Sequence, residues 1–167
     1  CFVLDEAALR RNLELISRVQ REAGVQIILA FKGFAMWSAF PLVRQYVNGA
    51  TASSLSEARL CYEEMKTEAH TYSVAYLPRE FNQILKISSH ITFNSLSQYR
   101  RFKKRLERFP EHVSPGLRVN PEWSPVETAL YNPASAGSRL GEVIENLKGK
   151  LPEGIEGLHF HVLCEST

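Results

Sequence analysis

Cysteine is scarce in this sequence: Cys1, Cys61 and Cys164 are the full complement of a 167-residue chain. Odd in number and widely spaced, they make neither a disulfide framework nor a zinc knuckle. No apolar run approaches the ~18 residues that a membrane-spanning helix needs. An excess of charge of one sign is also lacking. Twenty basic and 18 acidic residues leave +2, which gives no bulk attraction to nucleic acid. No GxGxxG glycine fingerprint follows any candidate strand, which removes the dinucleotide-binding form of a doubly wound sheet. The chain opens at Cys1 without a methionine, basic segment or cleavage signal, as expected of a cytoplasmic protein that has lost its true N-terminus.

What the sequence does contain is a 44% hydrophobic, 10% aromatic composition, enough for one globular domain with a substantial core. Strand and helix patterns alternate along it. Phe2 to Leu4 reads as a short strand, and Asp5 caps a helix with Leu9, Leu13, Ile16 and Val19 on its packing face. Val25 to Phe31 reads as a strand. A helix follows from near Ser38 to about Val47, with Pro41 in its first turn and Asn48-Gly49 as its stop. Ala50 to Ala52 is the next strand, and Ser54 caps a helix with Glu57 in capping-box spacing. Further strands are expected over Thr71–Tyr76, His90–Phe93, Gly116–Asn120 and Ile155–Val162. Pro78 opens one helix between them and Ser95 caps another. The basic run Arg100-Arg101-Phe102-Lys103-Lys104-Arg105 belongs to that last helix. Leu96, Tyr99, Phe102, Leu106 and Phe109 recur at helical spacing, so the cations take the solvated side.

This alternation argues for a parallel sheet covered by helices, an α/β fold. A (β/α)8 barrel needs ~250 residues, so the expectation is a truncated TIM barrel with about six of eight strands. Residues 1–24 form the strand and helix leading into it, and residues 25–167 the partial barrel.

Lys32 stands out within it. It follows the apolar run Ile27-Ile28-Leu29-Ala30-Phe31 and precedes Gly33, at the mouth of a strand. A lysine so placed either snorkels to solvent or serves as an amine nucleophile that condenses with a carbonyl. Between Asn120 and Gly141 the alternation stops, and Pro121, Trp123, Pro125, Asn132, Pro133 and Gly137 mark a long loop at a strand end, where barrels build active sites. Arg118 lies in the apolar strand Gly116-Leu117-Arg118-Val119-Asn120 and needs an anion or a hydrogen-bonding partner. Ser138-Arg139-Leu140-Gly141 offers a second arginine for a bidentate carboxylate grip or a loop salt bridge. On the last strand His159-Phe160-His161 sends both imidazoles to one face, as zinc ligands, as a stacking surface for a planar cofactor, or as core histidines. Cys164 and Glu165 follow closely. A Cys/His nucleophile pair has no oxyanion-hole signature beside it.

Taken in order, several segments resemble the pyridoxal-phosphate decarboxylases of the alanine racemase-like barrel class, and within it the carboxynorspermidine (carboxyspermidine) decarboxylase family. They are Phe2-Val3-Leu4-Asp5-Glu6, Leu29-Ala30-Phe31-Lys32-Gly33, the Gly49-to-Ala58 stretch, Phe93-Asn94-Ser95, Leu117-Arg118-Val119-Asn120-Pro121, Ser138-Arg139-Leu140-Gly141 and the Gly157-to-Glu165 stretch. Leu163-Cys164 is the most specific feature, because relatives acting on diaminopimelate, ornithine or arginine tend to have a glycine-serine pair there.

The resemblance implies that Lys32 is the Schiff-base lysine for pyridoxal 5'-phosphate. It also implies that His161 packs on the pyridine ring and that Arg118, Cys164 and Ser54 lie close to the cofactor. The implied substrate is a carboxylated polyamine, with Arg139, Glu165 and Glu127 as substrate-binding residues and Glu122 a further candidate. The implied assembly is a homodimer, with the last barrel strands, the phosphate loop and a C-terminal β-domain beyond Thr167, so the fragment alone is expected to be inactive. No nucleic acid, membrane or metal partner is expected. Three other readings stay open: a different enzyme of the same fold, either a decarboxylase of diaminopimelate or another basic amino acid or an amino-acid racemase; non-catalytic pyridoxal-phosphate binding; and metal-dependent hydrolysis through His159 and His161.

Overall fold

The computed structural model describes residue 1 and residues 3–163. The chain divides into two compact units, residues 1–70 and 71–167.

The first unit begins with helix α1, Glu6–Ala23, and starts where the sequence places it: Asp5 Oδ1 accepts a hydrogen bond from Ala8 N at 3.0 Å. Gly24 ends it in the left-handed conformation at φ 64°. The packing face differs from expectation at one turn. Leu13 is buried and Leu9 and Ile16 are half-buried, but Val19 is exposed. Gln20 makes the inward contact instead. Its Nε2 donates to Tyr46 O at 2.9 Å and its Oε1 accepts from Ile27 N at 2.7 Å, so its amide satisfies two loop backbone groups that an aliphatic side chain would leave orphaned.

Strand β1 is Leu29–Ala30, shorter than the expected Val25–Phe31, and pairs in parallel with β2, Ala50–Ala52, through Leu29↔Ala50 and Ala30↔Thr51. Val25 is exposed; an apolar run extends as strand only where it has a ladder partner. The expected strand at Phe2–Leu4 is absent at Val3 and Leu4, which are exposed, and Phe2 lies outside the described residues. Between β1 and β2 the helix starts as a 3-10 turn over Trp37–Ala39 and becomes α2, Phe40–Val43, with Pro41 in its first turn. Phe31 stacks on Phe40 at 5.5 Å.

Helix α3, Leu55–Leu60, runs on into a π-helical turn over Cys61–Met65. Ser54 Oγ accepts from Glu57 N at 3.2 Å, and Glu57 Oε2 accepts from both Ser53 N and Ser53 Oγ at 2.7 Å. The capping box therefore closes one residue earlier than its usual form.

Strand β3, Ala69–Ser73, crosses the division between the units. It sits earlier than the expected Thr71–Tyr76, because Tyr76 has left the ladder to lie in the core. Tyr76 is buried, and its hydroxyl is shared between the carbonyls of Thr71 (3.0 Å) and Thr92 (2.9 Å). In the second unit follow α4 (Phe81–Leu85), β4 (Ser88–Phe93), α5 (Leu96–Glu107), β5 (Ser114–Arg118), α6 (Ile144–Leu147) and β6 (Gly157–His159). Strands β4 and β5 pair in parallel from His90↔Ser114 to Phe93↔Leu117, and β5 and β6 from Gly116↔Gly157 to Arg118↔His159.

Phe81 stacks on Phe102 at 4.2 Å, with Phe93 and Tyr76 around them. Leu96, Tyr99 and Phe102 of α5 are buried while Arg100, Arg101, Lys104 and Arg105 are exposed, as the helical spacing requires. The last strand is shorter than the expected Ile155–Val162, and Leu158 and Phe160 are exposed. Among the described residues no helix is long and apolar enough to cross a membrane.

Candidate active site

In parallel sheets the chemistry gathers at the C-terminal ends of strands, and in each unit the polar residues singled out by the sequence lie there. In the first unit, Lys32 follows β1 inside a tight turn in which Gly33 N and Phe34 N both donate to Ala30 O, at 2.9 and 3.1 Å. The turn leaves the Lys32 side chain exposed beside buried Phe31. Ser54 stands past the end of the neighbouring strand, β2. Its described hydrogen bond is the helix cap.

In the second unit, four side chains at strand ends make one connected group. Arg118 closes β5 and is 5% exposed. Its Nη1 donates to Tyr72 Oη at 2.6 Å, and its Cζ lies 5.1 Å from the centre of the Tyr72 ring. Tyr72 Oη in turn donates to Asn94 Oδ1 at 2.8 Å. Asn94 Oδ1 also accepts from Gly141 N at 3.0 Å, and its Nδ2 donates to Arg139 O at 2.8 Å. His159, beside Arg118 in the strand register, meets the Tyr72 ring edge-on at 4.9 Å.

Two features set the electrostatics of this group. Among the described residues no carboxylate pairs with Arg118, and its Nε is buried without a hydrogen-bond partner. A charged group so placed is costly unless an anion arrives to share the charge. The second feature is His159, pushed down to about 4 first by burial, then by the Arg118 and His161 charges. At neutral pH its ring is uncharged, so Arg118 is the cation of the group.

The 139–142 segment is docked against β5. Glu142 N donates to Arg118 O at 2.9 Å and Asn120 N to Glu142 O at 2.8 Å. Gly141 makes the approach possible: at φ 97°, a Cβ there would stand 2.9 Å from Asn120 N and Val119 C and 3.1 Å from Arg118 Cγ. The segment is also held at residue 139, where Asn94 Nδ2 donates to the Arg139 carbonyl, while the Arg139 side chain is exposed.

Glu122 and Glu127 are exposed too, and neither forms an ion pair among the described residues. His161 is exposed two residues beyond β6, and its charge acts on His159. Cys164 and Glu165 lie outside the described residues. Among those described, no three His, Cys, Asp or Glu side chains converge to hold a metal ion. Tyr72 and Asn94 are the functional candidates that residue type alone did not flag; the signal available was their position at the ends of strands.

No protein-family model matches the chain. It is 49% identical over 166 residues to a carboxyaminopropylagmatine decarboxylase of Synechocystis. It is 41% identical, also over 166 residues, to a carboxynorspermidine/carboxyspermidine decarboxylase of Campylobacter jejuni. A crystal structure of carboxynorspermidine decarboxylase from Campylobacter jejuni, complexed with norspermidine, superposes with a TM-score of 0.85 over 100% of the chain at 38% identity. The chain is a homologue of the carboxynorspermidine decarboxylases. Its fold is part of an alanine racemase-like barrel. Diaminopimelate decarboxylase from Helicobacter pylori, at 16% identity and a TM-score of 0.73 over 92% of the chain, shares that fold. The chain covers 99% of its own length in the two sequence matches but spans only 42% of each of these relatives.

Proposed function

We propose that the whole protein decarboxylates a carboxylated polyamine in polyamine biosynthesis, with pyridoxal 5'-phosphate as cofactor and Lys32 as its attachment point. The observation that carries the proposal is Arg118, a buried guanidinium at a strand end that, among the described residues, has an orphaned Nε and no carboxylate partner. The cofactor's chemistry suits the strand-end residues of each unit taken separately. The cofactor is anionic, it carries an aldehyde for an amine such as Lys32 Nζ, and it is planar like the neutral aromatic surroundings of Tyr72 and His159. When bound, pyridoxal phosphate supplies an electron sink for the pair left behind by departing carbon dioxide. Lys32 Nζ would hold the cofactor through its aldehyde and could give or take a proton there. Arg118 neutralises an anionic oxygen, and neutral His159 leaves that charge undivided.

The substrate class follows the relatives' names, all of which describe carboxylated polyamine-type compounds. Carboxynorspermidine and carboxyspermidine are one branch. Carboxyaminopropylagmatine, named for the 49% identical relative, is the other, and it ends in a guanidine instead of an amine. Action in the cytoplasm and as a homodimer are further parts of the proposal.

Carbon dioxide release from each of the three compounds by the whole protein with added pyridoxal phosphate is the test, with Lys32→Ala as control. Release that vanishes in the variant is expected. Bound cofactor without release from any of the three would replace the enzyme with a cofactor-binding protein. Release unaffected by Lys32→Ala would overturn the attachment point.

A further inference from the structure

Neither residue type nor the comparisons single out Tyr72, yet the only described side-chain hydrogen bond of Arg118 goes to it. The contact is double. The hydroxyl accepts from Nη1 at 2.6 Å, and the ring lies 5.1 Å from Cζ. A phenol has one proton to donate, and here it goes to Asn94 Oδ1 at 2.8 Å, so the lone pairs are left for the guanidinium. The direction of that chain is fixed from its far end. Asn94 cannot turn its amide over, because Nδ2 is committed to Arg139 O and Oδ1 to Gly141 N.

We propose that Tyr72 is the positioning residue of Arg118: its hydroxyl and ring, steadied by Asn94, hold the guanidinium so that its uncommitted edge receives an anionic oxygen. The proposal rests on the cofactor-dependent reading above and adds to it the residue that aims the cation. Tyrosine suits this role better than aspartate or glutamate would. A carboxylate at position 72 would orient Arg118 equally well but would neutralise it, leaving little charge for a ligand. A neutral acceptor orients without consuming the charge, and the edge-on His159 ring adds no competing anion. The incoming oxygen is either the phenolate-type oxygen of the cofactor or a carboxylate oxygen of the substrate.

Tyr72→Phe tests this in the whole protein, because it keeps the ring and removes the hydroxyl. Pyridoxal phosphate affinity is read by absorbance titration without substrate, and KM and kcat are read separately. If the anion is a cofactor oxygen, cofactor affinity falls about tenfold, the scale of one charge-assisted hydrogen bond, and saturating cofactor restores KM. If it is a substrate carboxylate, cofactor affinity holds and KM rises about tenfold. Either supports the proposal.

The decisive readout is coupling. In an Arg118→Met background, Tyr72→Phe should cost less than about twofold more, since the residue it positions is gone. An equal loss in both backgrounds, or no loss in either, would overturn the positioning role. Asn94→Leu, with the same coupling expected, serves if Tyr72→Phe does not fold. A wild-type protein that shows no cofactor absorbance, or one whose absorbance survives Lys32→Ala unchanged, overturns the underlying reading instead, and the two failures are told apart by the wild-type titration.

Discussion

Replacing Gly141 with alanine puts the docking of the 139–142 segment to a quantitative test. The residue sits at φ 97°, and a Cβ would meet two backbone atoms of the β5 exit at 2.9 Å. Two routes are open to the variant. If the segment stays docked, a non-glycine residue at positive φ costs about 1–2 kcal/mol, and overpacking against backbone that cannot swing aside adds about 1–3 kcal/mol. If it lifts away, three hydrogen bonds go: Gly141 N to Asn94 Oδ1, Glu142 N to Arg118 O, and Asn120 N to Glu142 O. At about 0.5–1.5 kcal/mol net for each bond, that loss is of similar size.

Both routes converge on a destabilisation of about 2–4 kcal/mol. Gly137→Ala is the matched control, with φ 77° but nothing within 4 Å of its Cβ, so only the conformational cost of about 1–2 kcal/mol applies. Urea unfolding of the two variants beside wild type, followed by tryptophan fluorescence, supplies the comparison. If Gly141→Ala falls within about 0.5 kcal/mol of Gly137→Ala, the close approach does not hold the segment and the reasoning fails.

Ser54→Ala should cost about 1 kcal/mol of stability through the lost helix cap while leaving pyridoxal phosphate affinity unchanged; a loss of affinity with stability intact would return Ser54 to the cofactor site. His159 is lowered to about 4 in the folded protein from 6.5, so the unfolded chain binds more protons between these values. Stability should therefore fall as pH drops from about 6.5 towards 4 and level off below, and His159→Gln should flatten that slope in unfolding curves taken across the window; an unchanged slope would mean that another group carries it. Burial leaves Cys61 with no exposed surface and pushes its thiol up to about 11, so in the native protein it should resist thiol reagents and react only on unfolding. Mass spectrometry after brief labelling checks this, and rapid labelling at Cys61 would contradict it.

How far the sequence foretold the structure depends on the range of the interaction concerned. Helix starts were legible because their signals are local: Asp5, Ser54 and Ser95 all cap where expected. Lys32 at the end of β1 and Arg118 at the end of β5 were equally legible, since an apolar run broken by a cation is visible in one dimension. Strand extents were not. An apolar run becomes strand only over the residues that find a ladder partner, which trimmed Val25–Phe31 to two residues and moved β3 back from Tyr76. The side-chain group around Arg118 was hidden for the same reason. Tyr72 and Arg118 are 46 residues apart in sequence, and only the register of the strands shows that His159 stands beside Arg118. Gln20 replaced Val19 at the packing face because two loop backbone groups needed an amide, a demand that helical periodicity does not encode.

The N-terminus of α5 carries one more consequence, which concerns the order of events in folding. Ser95 Oγ accepts from Gln98 N at 3.2 Å and Gln98 Oε1 from Asn94 N at 2.7 Å, contacts that can form as soon as the helix nucleates. Leu96 N instead donates to Glu142 Oε2 at 2.8 Å, from 46 residues away, and that bond must wait for a long loop to close. The helix can thus exist early, held by its own neighbours, and be locked late by a distant carboxylate. An interaction absent from the transition state governs how slowly a protein comes apart rather than how quickly it assembles. If the bond forms only after the transition state, removing the Glu142 carboxylate should speed unfolding while leaving the folding rate nearly unchanged.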